Sequence, residues 1–242
     1  MSIIADNITR LQERIARAAK KSGRHPDEVT LVAATKQRTP AEVEEAIRCG
    51  MTVIGENRVQ EAEEKRRCVS LPASWHLIGH LQTNKVKKAI ELFDVIQSVD
   101  SLRLAEELNK RAGMVGKTIE VMVEVNTSKE PSKFGAAPEE TIDLVRRIAT
   151  LPNLRIVGLM TIGLLTEHPD EARPCFTMLR NLRDELTRAG ITLPHLSMGM
   201  THDFEAAIEE GSTMVRIGTG IFGPRPLGTP PKVFGEPSEE GR

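Results

Sequence analysis

The stretch LVAATKQRTPAEVEEAI, Leu31 to Ile47, decides the fold. Its first five residues are mostly apolar and partly β-branched, so Leu31–Thr35 reads as a strand covered on both faces. Thr39 is a suitable N-cap and Pro40 fits the first helical position. Glu42, three residues past the threonine, completes a capping box. A buried strand, a short polar turn and a well-capped helix make one β-α unit. Lys36 then stands at the carboxyl end of the strand, where parallel α/β proteins place their binding chemistry.

Working outward, the same unit recurs. Strand-like runs lie at Leu31–Thr35, Thr52–Gly55, Trp75–Ile78, Val95–Val99, Ile119–Asn126, Ile156–Ile162, His195–Met198 and Met214–Ile217. Helices are predicted between and after them over 40–49, 58–67, 83–91, 101–112, 138–150, 171–189 and 203–210. In the helix over 171–189, Phe176, Leu179, Leu182 and Leu186 form the inward stripe. Upstream, Ile4, Ile8, Leu11, Ile15 and Ala18 recur at spacings of four, three, four and three, an amphipathic helix over 3–21. Eight strands alternating with helices in 242 residues is the pattern of a (β/α)8 TIM barrel. A doubly wound sheet is the alternative. The expectation is one barrel domain over residues 1–225, preceded by an extra N-terminal helix and followed by a Pro/Gly-rich tail over 226–242.

Composition narrows the function. A formal charge of -1, from 33 basic and 34 acidic residues, offers no steering field for nucleic acid or an anionic membrane. Aromatic residues make up 3% of the chain, with no tyrosine at all, so aliphatic residues and methionine must fill the interior. Cys49, Cys68 and Cys175 show no metal-ligand spacing. With no apolar leader and no long apolar run, the chain reads as a soluble, cytoplasmic protein with reduced thiols.

The strand ends share a chemistry. They carry Lys36; Gly55-Glu56-Asn57; His76, with His80, Gln82 and Asn84 after it; Asn126-Thr127-Ser128 with Lys129 and Lys133; Met160-Thr161; Ser197 to Thr201; and Arg216 to Gly220. No set of metal ligands appears. His76 and His80 are four apart, but on a strand and turn rather than a helix, so His76 reads as a hydrogen-bonded core residue and His80 as a rim residue. Gly218-Thr219-Gly220-Ile221-Phe222-Gly223 matches GxGxxG, yet only 19 residues follow Gly223, too few for a dinucleotide fold. A glycine-rich turn after the last strand makes better sense as a nest of amides for one phosphate, with hydroxyls from Thr219 and Thr201. A lysine facing a single-phosphate site suggests a phosphorylated aldehyde held as a Schiff base. A Schiff-base aldolase would place a lysine similarly, but it also needs an acid–base pair, and the strand ends offer Glu56 at most.

Several of these segments resemble the pyridoxal phosphate homeostasis proteins. They are Thr30–Lys36, Gly55-Glu56-Asn57 with Val59-Gln60-Glu61, Trp75-His76 with Ile78-Gly79, Leu81-Gln82 with Asn84-Lys85, Gly158-Leu159-Met160, Leu196–Met200 and Met214–Gly223. The resemblance implies a barrel like the N-terminal domain of alanine racemase, with pyridoxal 5'-phosphate (PLP) on Lys36. It implies that the phosphate sits against Thr201, Gly218 and Thr219, that Arg216 reaches the pyridine nitrogen, that Asn57 lies near the ring, and that His76 and Met198 help form the pocket. It further implies a monomer that regulates vitamin B6 supply, with PLP-dependent apoenzymes as partners and without efficient catalysis. Many relatives carry tyrosine at the position of Arg58, proline or a similar residue at that of His80 and serine at that of Thr201. A PLP enzyme with weak racemase or lyase activity is the second reading. Against it, racemisation needs a second base, which the resembling racemases take from a tyrosine of a further C-terminal domain. An arginine at the ring nitrogen also disfavours the protonated ring that stabilises carbanions.

Overall fold

Parallel strands buried on both faces suit either a doubly wound sheet or a barrel, and here they close into a barrel. The computed structural model describes residues 2–224; the tail expected over 226–242 lies outside the described residues. Eight parallel strands, β1 (Thr30–Ala34), β2 (Val53–Glu56), β3 (Ser74–Leu77), β4 (Val95–Val99), β5 (Ile119–Glu124), β6 (Leu154–Met160), β7 (His195–Ser197) and β8 (Met214–Ile217), form a closed barrel in sequence order. Closure brings β8 beside β1, with Ala33 opposite Ile217. The helices are α1 (Ile3–Lys21), α2 (Pro40–Arg48), α3 (Val59–Cys68), α4 (Val86–Leu92), α5 (Leu102–Met114), α6 (Thr141–Ile148), α7 (Arg173–Arg188), α8 (Phe204–Glu209) and α9 (Thr219–Phe222). The capping box at α2 is formed: Thr39 Oγ1 accepts from the Glu42 amide at 3.3 Å, and Glu42 Oε2 accepts from the Thr39 amide at 2.7 Å.

Every strand read from the sequence is present. The run expected to end at Asn126 stops at Glu124, beyond which Val125 makes a single bridge to Ala136. One element was not expected. The glycine-rich turn after β8 winds into α9, where Ile221 and Phe222 are buried. Since α9 is so short, α1 fills the gap in the outer ring, packing on α8, α9 and α2. Its apolar stripe, Ile4, Ile8, Leu11 and Ile15, is buried there. On its other side Arg14 donates twice to Glu205 of α8, both at 3.0 Å.

Strand alternation makes two layers. Outward residues such as Ala33, Ile54, Leu77, Ile96, Val121, Leu159, Leu196 and Val215 pack with the helix stripes in the main core. Val32, Val53, Val95, Met122, Met160 and Met214 form a second, smaller apolar cluster. Buried polar residues also occupy the strands, among them Glu56, His76, Gln97, Ser98, Glu124, Ser197 and Arg216. Among the described residues, no helix is long and apolar enough to cross a membrane.

Candidate functional site

The carboxyl end of β1 is held by a buried ion cluster. Lys65 Nζ, from α3, donates to the Thr35 carbonyl at 2.5 Å, to Glu56 Oε1 at 2.6 Å and to Glu61 Oε1 at 2.7 Å. Thr35 Oγ1 donates to Glu56, and the amide of Gln37 donates to Glu61. Gln37 sits in the left-handed region at φ 62°, a conformation a non-glycine residue holds only where its surroundings impose it. Burial pushes the Glu56 carboxyl up, opposed by the Lys65 ammonium. The backbone on both sides of Lys36 is therefore fixed, while the Lys36 side chain is exposed. The sequence gives little warning of this cluster, because a Glu61–Lys65 pair four apart on a helix ordinarily marks a solvated face.

Two turns meet beside it, after β7 and after β8. Gly199 adopts φ +95°, and a Cβ there would stand 2.6 Å from the Ala207 Cβ. A Cβ on Gly218 would stand 3.1 Å from the Ala34 carbonyl oxygen, so this turn lies close against the end of β1. Thr219 Oγ1 donates to Thr201 Oγ1 at 3.1 Å. The Thr219 and Gly220 amides lie in the first turn of α9 and have no carbonyl within that helix to bond. Hydroxyls and amides thus converge on one small region next to Lys36.

Arg216 is buried on β8. Its Nη1 donates to Ser197 Oγ at 2.6 Å and its Nη2 to the Thr161 carbonyl at 2.7 Å. The chain continues from Ser197 Oγ to Gln97 Oε1 at 2.6 Å, and from Gln97 Nε2 to His76 Nδ1 at 2.8 Å. With Nδ1 accepting, Nε2 carries the proton and faces Ser74 Oγ at 3.2 Å. Burial holds His76 neutral, its pKa pushed down to about 4. Burial also lowers the Arg216 guanidinium to about 10, against the attraction of Glu124 and Asp203. Glu124 is the unexpected member of this layer. It is 2% exposed, and its Oε2 has no hydrogen-bond partner. Burial, with the Asp100 carboxylate adding to it and Arg216 opposing, raises its pKa to about 7. A glutamate ending the apolar run IEVMVE was its one signal in the sequence.

On the other side of Lys36 lies a cleft of about 430 Å³, lined by Lys36, Asn57, Arg58, Gln60, His80 and Lys85 among others. Gly79 lets the turns after β2 and β3 meet, since any Cβ there would collide with the Asn57 backbone. His80 stacks on Phe134 with ring centroids 3.8 Å apart and planes 11° apart, and its Nδ1 stands 3.4 Å from Asp100. Lys129 and Lys133, the other lysines noted at strand ends, are paired with Glu139 and Glu130.

The residues singled out in the sequence therefore fall into distinct places. Lys36 and Asn57 share the cleft, Thr201, Gly218 and Thr219 converge beside it, and Arg216 is buried on the strand leading into that turn. His76 is linked to Arg216 through Gln97 and Ser197, as a hydrogen-bonded core histidine. Met198 is fully buried in the main core with the outward strand residues, not in the smaller cluster.

A closed parallel barrel with a lysine after β1 and hydroxyls and amides after β7 and β8 defines a class. Residues 7–226 match the family described as "Alanine racemase, N-terminal domain". An alanine racemase of Clostridium difficile 630 superposes with a TM-score of 0.73 at 18% identity, over 91% of this chain and 57% of that one, a likeness of fold. Within that class the sequence is more specific. A pyridoxal phosphate homeostasis protein of Aquifex aeolicus is 46% identical over 222 residues, 91% of this chain and 97% of its own length. The structure of PipY from Synechococcus elongatus, solved with PLP bound, has a TM-score of 0.80 at 34% identity and covers 91% of this chain and 100% of that one. The chain belongs to the pyridoxal phosphate homeostasis protein family.

Proposed function

We propose that this chain binds PLP as a Schiff base on Lys36 and serves intracellular PLP homeostasis without efficient catalysis. The observation that carries the reading is the meeting of the Thr201 and Thr219 hydroxyls, 3.1 Å apart, on the turns after β7 and β8, with β8 pairing directly with the strand that presents Lys36. When bound, PLP supplies an aldehyde that condenses reversibly with a primary amine. The residues present suit that group. Lys36 is exposed, on a backbone clamped by Lys65, Glu56 and Glu61. Thr201, Thr219 and the amides of the Gly218 turn would hold the phosphate. Arg216 would face the pyridine nitrogen as a donor and leave it unprotonated, with Asn57 near the ring. The His76–Gln97–Ser197 chain fixes the Arg216 guanidinium, and Met198 supports the turn after β7 from the core.

A carrier needs a reversible bond, a firm grip on phosphate and an open approach to the ring, and these residues offer all three. Racemisation asks in addition for a second base, and transamination or decarboxylation for a protonated ring. Neither a tyrosine anywhere in the sequence nor a carboxylate at Arg216 is there to supply them. Similarity to relatives named for PLP homeostasis supports a role in the supply of that cofactor; PLP-dependent apoenzymes would be its partners, and the chain would act as a cytoplasmic monomer. Borohydride reduction of the PLP-loaded protein, followed by peptide mapping, tests the reading. A phosphopyridoxyl group on Lys36 is the expected result. Labelling confined to Lys85, Lys129 or Lys133 would refute it.

A further inference from the structure

The cleft beside Lys36 carries more positive charge than its protein neighbours neutralise. Lys36, Arg58 and Lys85 all line it, and among the described residues none of the three has a carboxylate partner. Nearby cations behave otherwise: Lys88 pairs with Glu63 and Glu91, and Arg67 pairs with Glu63. The one acid in the wall, Glu61, is already engaged, because its Oε1 takes Lys65 and the Gln37 amide. Asn57, Gln60 and Gln82 add amide groups to the lining, and His80, stacked on Phe134, forms part of the wall. Like charges gathered around one concavity repel each other and focus a field that draws anions in. Its volume of about 430 Å³ lies within the range of small-molecule sites.

We propose that this cleft is a binding subsite for a small dianion, specifically a dicarboxylate or the carboxylates of an acidic amino acid, held by Arg58 and Lys85. Arg58 offers a planar fork suited to one carboxylate, and Lys85 a point charge for the second. The Lys36 amine lies in the same cleft, so an amine bearing carboxylates would be presented to whatever Lys36 holds. That use of the subsite rests on the reading of Lys36 given above; anion binding itself does not. A phosphate dianion would satisfy the same charges, and the two sources are separated by experiment.

Calorimetric titration of the full chain at low ionic strength, with glutarate, inorganic phosphate and neutral glutaramide as probes, tests the proposal. Glutarate should bind more tightly than phosphate, and glutaramide should show no heat of binding. Arg58→Ala and Lys85→Ala should each weaken glutarate by about fivefold, the scale of one exposed ion pair, and moderate salt should weaken it further. Arg67→Ala, on the same helix but paired with Glu63, should leave it unchanged, and unaltered melting curves should accompany all three variants. No glutarate binding by wild type, or binding indifferent to both Arg58 and Lys85, overturns the proposal. Phosphate binding more tightly than glutarate, with the same dependence on the two residues, overturns its assignment to carboxylates. Glutarate has no amine, so its binding is independent of cofactor chemistry. Intact glutarate binding without borohydride labelling of Lys36 would refute the cofactor reading alone.

Discussion

Replacing Glu124 by glutamine should stabilise the protein above neutral pH and leave it nearly unchanged in acid. The carboxyl is 2% exposed, one oxygen lacks a partner, and its pKa rises from 4.5 to about 7 on folding. At about 1.36 kcal/mol per unit, that rise makes the ionised form cost roughly 3 kcal/mol in the native state. The folded pKa exceeds the unfolded one, so the native state holds its proton more tightly. The group's contribution is fully present below pH 4.5 and is lost as pH climbs through about 7. Glutamine never ionises and has nearly the same shape. The difference in unfolding free energy, variant minus wild type, should therefore be small at pH 4.5, grow through the window and level off above pH 7. Roughly 3 kcal/mol is the ceiling, since the buried amide must also find partners. His76 acts in the opposite direction: its pKa falls from 6.5 to about 4, so its contribution is lost as pH drops through that interval. That loss is common to both proteins and cancels in the difference. Denaturant unfolding of both, in steps from pH 4.5 to 8.5 without cofactor, supplies the measurement. A difference independent of pH, or one that grows toward acid, would refute the argument that burial governs Glu124.

Two further outcomes follow from other parts of the site. Thr219→Val removes a hydroxyl at nearly constant volume, so PLP affinity measured by absorbance titration should fall roughly ten- to a hundredfold; equal losses for pyridoxal, which lacks the phosphate, would assign Thr219 to packing instead. Lys65→Met strands two buried carboxylates and should cost roughly 3–5 kcal/mol in denaturant unfolding, whereas a loss below about 1 kcal/mol would mean that the ion cluster does not hold the end of β1.

The barrel was legible in the sequence because its signals are local. Strand runs, the capping box at Thr39–Glu42 and the stripe Ile4–Ile8–Leu11–Ile15 depend on neighbours within a few residues; the cap and the stripe appear where the pattern places them, and the strand ends fall within about two residues of it. The number of β-α units then sets closure, which puts the Gly218 turn beside Lys36. Local pattern could not show which charges would be buried. Glu61 and Lys65 have the spacing of a surface pair, yet strand ends thirty residues away enclose them, as the bond from Lys65 to the Thr35 carbonyl shows. Arg216 is fixed by Ser197, which bonds Gln97 across 100 residues of chain. The place of His76 beneath that network, the outward burial of Met198 and the unpartnered oxygen of Glu124 depend on which strands meet around the barrel. The low dielectric there makes each polar group's free energy depend on its partners, and only the tertiary structure decides what those partners are.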